Sequence, residues 1–133
     1  MSGAAIIRSK LAGNATLTAA IPATSIFSGA VPENTQVPYI TVRSISVTQR
    51  NTVSMTETLK QASERVQVTV YAATYPLQKS YMALVRSACP NSNGTINGFQ
   101  CDSILPAGDG PDFFDDVLMV YEQSQDFVVK YAR

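Results

Sequence analysis

Between Glu64 and Ala72 the chain alternates: Val66, Val68, Val70 and Ala72 fall on one side, Arg65, Gln67, Thr69 and Tyr71 on the other. A period of two in β-branched residues predicts a half-buried antiparallel strand. After Thr74 the spacing lengthens. Leu77, Tyr81, Leu84, Val85 and Ala88 recur as on one face of a helix, with Gln78, Lys79, Arg86 and Ser87 toward water. Thr74 is placed to cap that helix, Pro76 falls in its first turn, and Cys89-Pro90 ends it. A strand therefore runs straight into a helix. Val66, Val68, Val70, Leu77, Leu84 and Val85 are expected at one buried sheet–helix interface.

The same reading extends to both ends. A short amphipathic helix is expected near Ala4 to Leu11, closed by Gly13, and Asn14 caps a further turn or two to about Ala20. A proline-rich connector follows, with Ile26 and Phe27 as one short strand. Residues 38–49 alternate as a second long strand. Tyr39, Thr41, Arg43, Ile45 and Val47 share one face, and Ile40, Val42, Ser44 and Ser46 share the other. Residues 50–63 are polar and admit two readings. Ser54 and Glu57 have capping-box spacing, which favours a helix from Met55; the threonines and flanking strands favour an extended hairpin arm. Asn97-Gly98 signals a tight turn between short strands. Residues 117–133 read as a closing strand, with Tyr121, Phe127, Val129 and Tyr131 opposite Glu122, Ser124, Asp126 and Lys130. The sum is α+β: an antiparallel sheet with helices packed on one face and a long β-hairpin arm, one domain over residues 1–133.

Composition narrows the function. The 133 residues are 45% apolar and only 15% charged, with ten basic and ten acidic side chains. Zero net charge argues against sequence-specific nucleic-acid binding, which needs a basic surface. Sparse charge also leaves a surface poorly protected against self-association, as in a subunit of an assembly. No apolar run is long enough to span a bilayer, and Asn14, Thr16 and Pro22 interrupt any signal-peptide core, so no membrane partner is expected. The absence of histidine removes the commonest general base and metal ligand. Cys89 and Cys101 are either two buried thiols or one disulfide.

The search for chemistry is negative. Asp109, Asp112, Asp115 and Asp116 cluster, but without EF-hand spacing, and they read as a solvated turn-forming loop. No serine has a histidine to activate it, and no Gly-rich phosphate loop is present. The tyrosines suit core or subunit packing. Arg43 and Arg65 are either solvated strand residues or halves of inter-subunit ion pairs. No enzyme activity and no cofactor are expected. A cytosolic α+β ligand-binding or assembly module and a secreted disulfide-bonded domain are the rival classes.

The order and spacing of these patterns resemble the tail-completion or tail-terminator proteins of long-tailed bacteriophages, also called head–tail joining proteins. The likeness rests on "IIRSKLAGNATLTAAI", on "IFSGAVPENTQVPYITVRSIS", on "RVQVTVYAATYPLQKSYMALVRSA" and on the closing "YEQSQDFVVKYAR". The cysteines and the asparagine-rich hairpin depart from the pattern. The resemblance implies a structural virion protein of the tail and neck, assembled in the host cytoplasm. As a hexameric ring it would cap the tail tube, end its polymerisation and join the tail to the head. Its implied partners are further copies of itself, the tail tube protein and a neck or head-completion protein, with the genome passing through the ring. Arg50, Met55, Glu57, Leu59 and Lys60 of the arm, with Arg43 and Arg65, are the expected contacts with neighbouring subunits or the tube.

Overall fold

The computed structural model describes residues 2–50 and 61–132. In chain order they form α1 (Ser2–Ala12), α2 (Ala15–Ala20), a 3-10 turn (Ala23–Ser25), β1 (Ile26–Ser28), β2 (Tyr39–Arg50), β3 (Gln61–Ala72), α3 (Tyr75–Ala88), β4 (Gly94–Ile96), β5 (Phe99–Asp109), β6 (Phe113–Asp115) and β7 (Val120–Ala132). The sheet is ordered β1-β2-β3-β7-β5-β4, with β6 beside β7. Every pairing is antiparallel except β1 with β2, which is parallel.

Local chemistry sets the helix ends. The Asn14 side chain accepts from the Leu17 N–H at 2.9 Å, and the Thr74 hydroxyl accepts from the Leu77 N–H. Each satisfies a donor that a helix start leaves unpaired. Asn97 and Gly98 both take positive φ, as a two-residue hairpin turn requires.

All three helices contribute to one buried cluster. Ile6, Ile7 and Leu11 of α1, Leu17 of α2, and Met82 and Val85 of α3 meet Ile40, Val42, Val66, Val68, Val70, Phe127, Val129 and Tyr131 of the sheet. Val68 is flanked in register by Val42 and Gln125, and Val66 by Ser44 and Phe127, so the parity read in β3 carries across the sheet.

Four expectations need correction. First, α3 buries the stripe Gln78, Met82 and Val85; Leu77 is 40% exposed and Leu84 only half-buried. The 77/81/84/88 and 78/82/85 stripes adjoin, and the packed one carries a glutamine whose amide has no hydrogen-bond partner among the described residues. Second, β2 bulges between Ser44 and Ser46, which moves Val47 to the core face and leaves Ile45 exposed. A bulge inserts one residue and so reverses parity beyond it. Third, residues 61–63 belong to β3, and the β2–β3 pairing reaches Arg50 and Gln61. Fourth, residues 117–119 form a turn, and the closing strand starts at Val120.

Glu64 lies on the apolar face of β3 and is fully buried. Its carboxylate accepts from the Ala4 N–H at 2.9 Å and from the Tyr131 hydroxyl at 2.9 Å. Ala4 is in the first turn of α1, where backbone donors lack partners and negative charge is favourable. One carboxylate thus pins α1 to the sheet.

Candidate interaction surfaces

The sheet face away from the helices is a polar ladder. Tyr39 stacks on Tyr71 with ring centroids 4.5 Å apart. Thr69 and Ser124 share a hydrogen bond at 2.9 Å. Arg65 pairs with Asp126 at 2.7 Å and also donates to the Ala107 carbonyl. Arg43 donates to Gln67 at 2.7 Å. Burial pushes the Tyr39 and Tyr71 phenols above their ordinary range, and each is raised further by a neighbouring negative or phenolic group. These contacts tie neighbouring strands together across that face.

The acidic segment is tied to α3. Lys79 bonds Asp112 at 2.6 Å, and Tyr75 donates to the same carboxylate at 2.8 Å. Those two hydrogen bonds, the lysine's first, hold the Asp112 carboxyl below its usual range. Arg86 pairs with Asp109 at 2.9 Å, about two helix turns further on. Beyond this clasp the chain builds a tip. The Asp115 side chain accepts from the Val117 and Leu118 N–H groups at 3.0 and 3.1 Å, and Met119 takes positive φ. Val117, Leu118 and Met119 are left 86%, 62% and 65% exposed. At its base, Phe114 and Tyr75 pack their rings on Tyr121.

A groove of about 870 Å³ lies between α1 and the β1–β2 edge of the sheet. Small residues line it: Ala5, Ser9 and Ala12 on α1, then Ser28 and Gly29 after β1. Arg8 and Arg43 also line it. Arg8 donates to the Ile26 carbonyl at 3.2 Å and to the Ala23 carbonyl at 3.5 Å, which ties α1 to the start of β1.

Of the residues expected to make contacts, Arg43 is exposed on the groove rim and Arg65 is occupied by Asp126 of the same chain. Arg50 ends β2, paired with Gln61. Met55, Glu57, Leu59 and Lys60 lie outside the described residues. The tip and the groove were missed. The signal for the tip was present: the run Val117-Leu118-Met119 directly follows two aspartates, an apolar run introduced by turn residues. Cys89 and Cys101 are both buried free thiols. Burial pushes the Cys89 thiol up to about 12.

The chain matches the family model for tail completion protein gp17 over residues 5–116. It therefore belongs to that family, and is a structural component of a phage-like virion tail. Its fold is shared by a chain in the solved virion of a native gene transfer agent particle. The two are 14% identical, the match covers 98% of this chain and 94% of that one, and the TM-score is 0.76. No curated protein matches the sequence. Among the described residues no helix is long and apolar enough to cross a membrane.

Proposed function

We propose that this tail completion protein works as a ring of identical copies, six by the resemblance, that caps the tail tube, ends its polymerisation and presents the surface to which the neck docks. The family match over residues 5–116 carries this reading. The structure supports it through what it offers for contact: a polar outer sheet face, an apolar tip and a groove, in a chain of zero net charge. Ring closure covers much of each subunit with identical neighbours. The role is mechanical: the chain acts as a single domain, takes no cofactor and performs no catalysis. Its partners are further copies, the tail tube protein and a neck or head-completion protein, and the genome passes through the ring without sequence-specific contacts.

The arm expected over residues 50–63, of which 51–60 lie outside the described residues, is proposed to contact the tube or a neighbour through Arg50, Met55, Glu57, Leu59 and Lys60. Replacing residues 52–59 with a short Gly-Ser turn tests this. Loop-closure cost varies slowly with length, so the fold should survive with nearly unchanged stability while tube capping is lost. A shortened protein that still yields tails of defined length would reduce the arm to a spacer. The ring itself is tested by light scattering of the purified protein, alone and with tail tubes. A single-chain mass under both conditions would contradict it.

A further inference from the structure

We propose that the apolar tip at Val117–Met119 of one copy seats in the groove between α1 and the β1–β2 edge of the next copy, with Asp115 and Asp116 meeting Arg8 and Arg43; this rests on the ring reading above.

The tip is built to be exposed. Asp115 holds its backbone through two N–H bonds, and the clasp to Lys79 anchors the segment just before it. Three adjoining apolar side chains more than half exposed on a braced turn gain nothing from the fold of their own chain. Such a patch marks an interaction site, and its rigidity lowers the entropy lost on docking. The groove is the complement. Its small side chains leave room, and about 870 Å³ accommodates a group of side chains of that size.

Charge favours the same match. Among the described residues neither Arg8 nor Arg43 has a carboxylate within ion-pair distance. Both arginines line the groove and bond only neutral acceptors, Arg8 the Ile26 and Ala23 carbonyls and Arg43 the Gln67 side chain. The tip carries Asp115 and Asp116 next to its apolar residues. Negative charge is already crowded there: desolvation raises the Glu122 carboxyl, and Asp115 raises it further. A neighbour's guanidinium would relieve that crowding.

Strand addition is the alternative way to join copies through the sheet. β4 covers only Phe99–Cys101 of β5, and β1 covers only Ile40–Val42 of β2, so both edges are partly bare. The bare part of β5 carries Pro106 and two register shifts, and that of β2 carries the bulge at Ile45. These are the devices by which edges resist pairing. Side chains entering a groove suit this chain better. Tip and groove are different surfaces of one subunit, so their contact is heterologous and propagates head to tail into a closed ring.

The test uses light scattering and tail-tube binding on the wild type, Leu118→Asp, Arg43→Glu and the double variant Arg43→Glu with Asp116→Lys. All altered side chains are exposed, so folding should be retained, as circular dichroism will verify. Leu118→Asp and Arg43→Glu should each weaken self-association roughly tenfold or more. Mixed together, they should form a two-chain species and nothing larger, because one keeps an intact groove and the other an intact tip. The charge-exchanged double variant should recover assembly. Rings formed equally well by both single variants would overturn this contact and leave the ring standing. A Leu118→Asp ring that has lost tube binding would assign the tip to the tube and overturn the proposal. A wild type that stays a single chain even with tubes would remove the ring reading itself.

Discussion

Gly3→Ala should destabilise this protein, although glycine-to-alanine changes in a helix ordinarily stabilise it by about 1 kcal/mol. Gly3 lies in the first turn of α1, over the buried Glu64. A Cβ there would sit 2.7 Å from both Glu64 Cδ and Oε2, and 3.0 Å from its Cβ. Carbon atoms pack at about 3.5 Å or more, so the carboxylate would have to retreat by roughly 0.8 Å. It is not free to do so. It accepts from Ala4 at 2.9 Å and from Tyr131 at 2.9 Å, and it has no exposure to water. Leaving a buried hydrogen-bonding group unsatisfied costs about 1–3 kcal/mol, and retreat weakens both bonds. Against the propensity gain, the net cost should be about 1–3 kcal/mol. Urea denaturation followed by circular dichroism reads it as a lower midpoint at unchanged slope. A double-mutant cycle isolates the cause: in a Glu64→Ala background the penalty of Gly3→Ala should largely vanish. Unchanged or raised stability of Gly3→Ala in the wild-type background would refute the placement of Glu64 under α1.

Three further outcomes follow from the packing of α3 and its end. Met82→Ala should cost about 2–5 kcal/mol, while Leu77→Ala, on the exposed side of the same helix, should cost less than about 1, both read by urea denaturation. Gln78→Met should raise stability, by about 1–3 kcal/mol, because it removes a buried amide that has no partner among the described residues and keeps the side chain's length; a loss in the same assay would mean that the amide is satisfied. Burial raises the Cys89 thiol to about 12, so the folded chain keeps its proton after the unfolded chain loses it. Its contribution is therefore intact below pH 9.0 and is lost as the pH rises toward about 12. Cys89→Ala should flatten the alkaline fall in stability, and in the native protein at pH 8 a thiol reagent should label Cys89 only through opening of the fold.

What could be read from the sequence was what neighbours along the chain decide. The Asn14 and Thr74 caps, the Asn97-Gly98 turn and the alternation of β3 depend on a few adjacent residues, and all appear in the structure. Features set by distant partners were hidden. Gln78 is buried because the sheet accepts the neighbouring helical stripe, which the polarity of glutamine argued against. Val47 faces the core only because β2 bulges against β3. The parallel pairing of β1 depends on where the connector after α2 delivers Ile26. Glu64 could have been suspected, since it falls on the Val66–Val70 parity where a carboxylate needs a partner. Its partners, Ala4 and Tyr131, stand 60 and 67 residues away. The tip resembled a strand start because its run is apolar; the Asp115 side chain turns it outward instead.

The proposed role of this chain is to end the growth of a tail tube. The direct measurement is the length distribution of tubes assembled from purified tail tube protein, imaged by electron microscopy with and without this protein. Added during assembly, it should give short tubes with a ring at one end, in numbers that rise with its concentration. Leu118→Asp should leave tubes long if the proposed tip–groove contact closes the ring. Tubes of unchanged length, with no density at their ends at saturating protein, would contradict the account.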